Sequence, residues 1–115
     1  MTANKFKELI IKTSAEGGFP AVDNNGLSCV YLSDCGRKCV VGLTIPNGHP
    51  GQYCQGSVHT LYEKYPDLKE HIPGGLGIDI MSELQGVHDN LSLSTNWNHE
   101  SFVERVTEIF ASIPA

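Results

Sequence analysis

Apolar positions recur at helical spacing in four stretches of the chain. Phe6, Leu9 and Ile10, with Thr13 on the same face, predict an amphipathic helix over residues 4–15, closed by Gly17-Gly18 and Pro20. Val58, Leu61, Tyr62 and Tyr65 form a second apolar stripe behind Ser57, a hydroxyl suited to an N-cap, and Pro66 lies beyond its end. Ile80, Met81, Leu84, Val87 and His88 mark a third helix with Asp79 as its expected cap, preceded by the breakers Pro73-Gly74-Gly75. The clearest stripe is the last one. Asn98 stands before Phe102, Val103, Val106, Ile109, Phe110 and Ile113, whose burial is expected to hold the domain together.

Between the first and second helices the pattern changes. Asp23-Asn24-Asn25-Gly26 reads as a turn, Leu27 to Leu32 as a strand ending at Ser33-Asp34-Cys35-Gly36, and Arg37 to Val41 as a returning strand that closes a hairpin. The run Cys39-Val40-Val41-Gly42-Leu43-Thr44-Ile45 fits either a buried strand or a buried helical turn, and Pro46 ends it. Residues 46–56 contain two prolines and three glycines, which predicts an irregular surface loop of the kind that often carries function. The expected fold class is therefore α+β, a small β-hairpin or sheet covered by about four helices, in a single globular domain spanning 1–115.

Composition narrows the function classes. Of 115 residues, 40% are hydrophobic and 18% charged, enough apolar surface to form a core and too little charge for a disordered chain. The net charge of −5 with eight Lys plus Arg argues against duplex nucleic acid as a partner, because tracking phosphates takes a cluster of cations. The first twelve residues interleave Lys5, Lys7 and Lys12 with apolar side chains and do not read as a signal peptide, and no apolar run is long enough to span a bilayer. The expectation is a cytoplasmic protein with no membrane partner, in which Cys29, Cys35, Cys39 and Cys54 are thiols. Homo-oligomerisation is left open.

Three constellations could carry chemistry. Cys35, Cys39, His49 and Cys54 are donor types that zinc accepts, but the intervals between Cys35 and Cys39 and between Cys39 and His49 miss the spacing of a compact site, so no metal and no other cofactor is expected. Cys39 follows Gly36-Arg37-Lys38, and cations next to a thiol favour the thiolate; His88 and Asp89 could supply a base and its orienting group, giving a Cys-His catalytic arrangement. Against that, Cys39 opens an apolar run, and His88 falls on the apolar stripe of its helix, which favours a buried thiol and a packed imidazole. The third constellation is a small-ligand pocket, with Arg37 and Lys38 facing a small anionic ligand, Tyr31 and Trp97 as stacking faces, and His88, Asp89 and Asn90 as hydrogen-bonding partners.

The chain resembles a group of small phage and prophage proteins. The matching segments are Cys29-Val30-Tyr31, Gly36-Arg37-Lys38-Cys39-Val40-Val41-Gly42, Ile45-Pro46, Gly56, Leu84-Gln85-Gly86-Val87-His88-Asp89-Asn90 and Trp97. It departs from that group at Asn47-Gly48-His49, where an acidic Asp-Glu is usual, at Gln55 in place of a Glu, and at Leu43 in place of a frequent cysteine. The resemblance implies a phage accessory protein of the host cytoplasm and makes a host-defence antagonist a reasonable class, but it carries no reaction. That the protein binds and sequesters a small nucleotide-type signalling molecule is expected from Arg37 and Lys38 as phosphate partners beside an aromatic face. Two alternatives stand beside this expectation: a cysteine-dependent hydrolase or transferase using Cys39 and His88, and a protein inhibitor of a host enzyme.

Overall fold

The computed structural model describes residues 2–22, 30–34, 36–54, 56–92 and 97–113. Among the described residues four α-helices carry the fold: α1 (Ala3–Ala15), α2 (Val58–Lys64), α3 (Ile78–Ser92) and α4 (His99–Ala111). Short 3-10 turns lie at Val41–Thr44, Pro50–Tyr53 and Pro66–His71. Each start has a local cause. The Thr2 hydroxyl accepts from the Lys5 N–H, Ser57 from Thr60 N–H and the Asn98 side chain from Ser101 N–H, so three helices open on a side-chain cap. Asp79 does not cap α3 as the sequence suggested; it sits inside the first turn, where its charge complements the helix dipole.

The expected α+β class is overturned. Among the described residues the only β-type pairings are isolated bridges, including Leu32 with Lys38 and Thr2 with Gly74, and the architecture is mainly helical. Where the hairpin was expected, the chain makes a tight turn closed by Ser33 N–H to Arg37 O at 2.8 Å and Cys39 N–H to Tyr31 O at 3.3 Å. The second strand then ends, because Val41–Thr44 winds into a 3-10 turn that lays Gly42 directly against the Tyr31 carbonyl. A Cβ on Gly42 would run into that oxygen, so the close approach requires glycine. Residues 23–29, which contain the first part of the expected hairpin, lie outside the described residues.

The core gathers Phe6 and Ile10 of α1, Val40, Val41 and Ile45 around the 3-10 turn, Leu61 and Tyr62 of α2, Met81 and Leu84 of α3, and Phe102 and Val106 of α4. Helix α4 packs against both α1 and α3, and α3 also packs against α2 and the Val41–Thr44 turn. The apolar face of α4 is narrower than its sequence suggests. Phe102 and Val106 are fully buried, whereas Ile109 and Phe110 are partly exposed, Phe110 meeting Phe6 edge-on with ring centroids 6.5 Å apart. No helix among the described residues is long and apolar enough to cross a membrane.

Candidate functional site

The polar residues of α3 at 85, 88 and 89 share one face because they are spaced three and four apart. They form a network that joins α3 to two other parts of the chain. The Gln85 side chain accepts from the Val41 N–H through Oε1 at 3.0 Å and donates from Nε2 to Asp89 Oδ1 at 2.8 Å. His88 Nε2 accepts from the Ala21 N–H at 3.0 Å. A backbone N–H can only donate, so Nε2 is the unprotonated nitrogen, and the neutral ring carries its proton on Nδ1, 3.0 Å from the Asp89 carboxylate. His88 is fully buried, and its ring packs against Phe19 and Trp97 at centroid distances of 5.5 and 5.7 Å. Asp89 is only part-buried, its side chain 39% exposed.

Cys39 lies beside this network. Its Sγ accepts from the Gly42 N–H at 3.2 Å, and the side chain is wholly enclosed. Burial pushes the thiol up from 9.0 to about 12; the Asp89 carboxylate adds to the rise, and the Gly42 N–H opposes it. The cations at Arg37 and Lys38 do not overcome that desolvation, so Cys39 remains a protonated thiol at neutral pH. Tyr31 and Tyr62 are also raised by burial. The Tyr31 hydroxyl donates to the Gly56 carbonyl at 3.3 Å.

The candidate ligand residues divide into two sets. Tyr31, His88, Asp89 and Trp97 are engaged with the protein: Tyr31 with Gly56, His88 with Ala21 and Asp89, and Trp97 with the rings of Phe19, His88 and Phe102. Tyr31 is 5% exposed, and Trp97, half-buried, packs at a tilt against Phe102 at 4.8 Å and Phe19 at 5.9 Å, so both aromatics expected to stack on a base are engaged with the protein. The Trp97 Nε1 is buried with no hydrogen-bond partner among the described residues. Arg37 and Lys38 stand outside on the turn: Arg37 is exposed, Gly36 beside it has φ of 87°, and Lys38 Nζ donates to Asn47 Oδ1 at 2.6 Å. Asn90 is exposed on the last part of α3.

The Cys-His catalytic alternative asks His88 to serve as the base for Cys39. A general base needs a lone pair aimed at the nucleophile, and the His88 lone pair is held by a backbone amide of another segment. Of the candidate metal set, His49 is held in contacts of its own. His49 Nδ1 accepts from the Gly51 N–H at 2.8 Å and Nε2 meets Asp67 Oδ2 at 2.7 Å, which leaves the ring no lone pair for a metal. Cys35 lies outside the described residues, and among those described no group of three or more His, Cys, Asp or Glu could hold a metal ion.

Gln85 is the site residue that sequence reasoning missed. Its signal was available: an amide three residues before a buried histidine and four before an aspartate, on one helical face. Phe19 was missed as well, and its place against His88, Trp97 and Phe102 has no sequence signature. Compared with protein-family models, curated proteins and solved structures, the chain finds no match.

Proposed function

We propose that this protein is a non-catalytic binding module that holds a small anionic ligand of the nucleotide type through Arg37 and Lys38 of the turn and Asn90 on the last part of α3. The observation that carries this reading is the Ala21 N–H on His88 Nε2, which turns the best candidate base into a structural acceptor. With Cys39 enclosed and protonated, the most reactive side chains are committed to the fold, while Arg37 at the turn tip stays exposed. Two adjacent cations in a chain of net charge −5 favour a compact anion over a polyanion, and a guanidinium suits phosphate. The wider role proposed is sequestration of a host signalling nucleotide during defence; the resemblance to phage proteins bears on the origin of the chain, not on its ligand.

Titration calorimetry against cyclic and ADP-ribose-type nucleotides tests the reading, together with mass spectrometry of whatever heat denaturation releases. The expected result is binding of an intact nucleotide, weakened about tenfold by Arg37→Ala, the scale of one charge-assisted hydrogen bond. Release of a hydrolysed product, or no nucleotide bound across the panel, contradicts it.

A further inference from the structure

An imidazole ties the Pro50–Tyr53 turn to the Pro66–His71 turn. His49 is the N-cap of the Pro50–Tyr53 turn: its Nδ1 accepts from the Gly51 N–H at 2.8 Å. Its Nε2 meets the Asp67 carboxylate at 2.7 Å, and the ring lies edge-on to Tyr65 at 5.3 Å. Because Gly51 N–H must donate, the neutral ring carries its proton on Nε2 and gives it to Asp67. The fit at Gly51 is tight. A Cβ there would come within 2.8 Å of Leu68 Cδ1 and 3.0 Å of His49 Nδ1, so the loop backbone is pressed between the imidazole and the following turn.

We propose that His49 is a pH-sensitive latch, and that uptake of a second ring proton detaches the Pro50–Tyr53 turn from its cap. The proton comes from solvent and lands on Nδ1, the only ring nitrogen with a lone pair. Nδ1 then points an N–H at the Gly51 N–H, and the cap hydrogen bond is lost. The opposing gain is a stronger pairing with Asp67, but that carboxylate is 61% exposed and water screens it. His71, on the same turn as Asp67, acts on the same carboxylate and takes a share of that gain when it is charged. Asp67 from the Pro66–His71 turn and Tyr65 at the end of α2 are the titratable groups seen against the ring among the described residues, and His71 reaches it only through the Asp67 carboxylate. Consistent with the pairing, the His49 hydrogen bond holds the Asp67 carboxyl below its ordinary value.

Opening the latch frees the backbone that carries Tyr53, a large side chain 71% exposed. The test is amide hydrogen exchange of Gly51, corrected for intrinsic rate, with the His49 ring nitrogens followed by NMR from pH 8 to pH 5. Protection at Gly51 is expected to fall about five- to tenfold, the range a side-chain cap supports, in step with protonation of the His49 ring. His49→Asn replaces the imidazole with an acceptor that does not titrate, and is expected to keep protection constant across the range. Asp67→Asn is expected to leave the Gly51 response in place. Constant Gly51 protection in the wild type down to pH 5, or a pH response that survives His49→Asn, overturns the proposal.

Discussion

His88 and His49 use the same arrangement in mirror order. In each, one ring nitrogen accepts a backbone N–H and the other meets an aspartate: Ala21 N–H and Asp89 for His88, Gly51 N–H and Asp67 for His49. The rings differ in which nitrogen does which, and above all in what surrounds them. His88 is fully buried among Phe19 and Trp97, next to a thiol raised by burial, whereas the His49 side chain is 16% exposed and its aspartate is mostly in water. The difference teaches that hydrogen bonding assigns the tautomer, and burial decides whether that assignment supports the fold or responds to the solution. A second proton on His88 would put a charge in the core and orphan the Ala21 N–H there. On His49 it orphans the Gly51 N–H, itself in a buried residue, but the charge is placed on a ring that is 16% exposed and paired with a carboxylate that is mostly in water.

The comparison breaks most visibly by truncation. His88→Ala removes the acceptor for Ala21, a donor to Asp89 and a ring packed on two aromatics, and is expected to cost about 3–5 kcal/mol, on the scale of a large core side chain lost together with a buried hydrogen bond. Chemical denaturation measures it. A cost below 1 kcal/mol would mean that the ring is not the structural hub described here.

Alkaline unfolding sharpens the buried side. Cys39 has its folded value raised to about 12 from an ordinary 9.0, so the folded state holds the thiol proton more tightly than the unfolded chain does. Its stabilisation is complete below about 9 and is lost progressively as pH rises towards about 12. Wild type should therefore lose stability between those values more steeply than Cys39→Ala, and the native thiol should alkylate slowly at neutral pH. Equal slopes, or fast alkylation of Cys39, would place the thiolate in reach of solvent and revive the nucleophile. The smallest effect is expected on the exposed side: His49→Ala loses one cap and should cost about 1 kcal/mol at pH 8. A loss as large as that of His88→Ala would erase the distinction between the two sites.

How far these features were legible in the sequence follows the same divide. The helices were read from apolar spacing and from caps at Ser57 and Asn98, because both signals are local. The hairpin was misread. Cys39 to Ile45 is an apolar run that strand and helical turn share, and only the contact of Gly42 with the Tyr31 carbonyl, a tertiary fact, selects the turn. Phe110 was placed in the core with Phe102 because α4 repeats its pattern to the end, but beyond Val106 the helix packs on the core only in part, leaving Ile109 and Phe110 half-buried. At the site, His88 and Asp89 were found as neighbours in sequence, while the Ala21 N–H that commits His88 comes from 67 residues away.

The central claim, that His88 is a neutral structural acceptor and not a base, is tested most directly by the ring nitrogen shifts of that residue in labelled native protein. Neutral His88 is predicted to show the Nδ1–H tautomer, with Nε2 as the acceptor nitrogen, while neutral His49 shows the Nε2–H tautomer in the same spectrum. A His88 ring found as the Nε2–H tautomer in the native protein would contradict the account, because the Ala21 N–H could then not be its donor and the imidazole would again be available for catalysis.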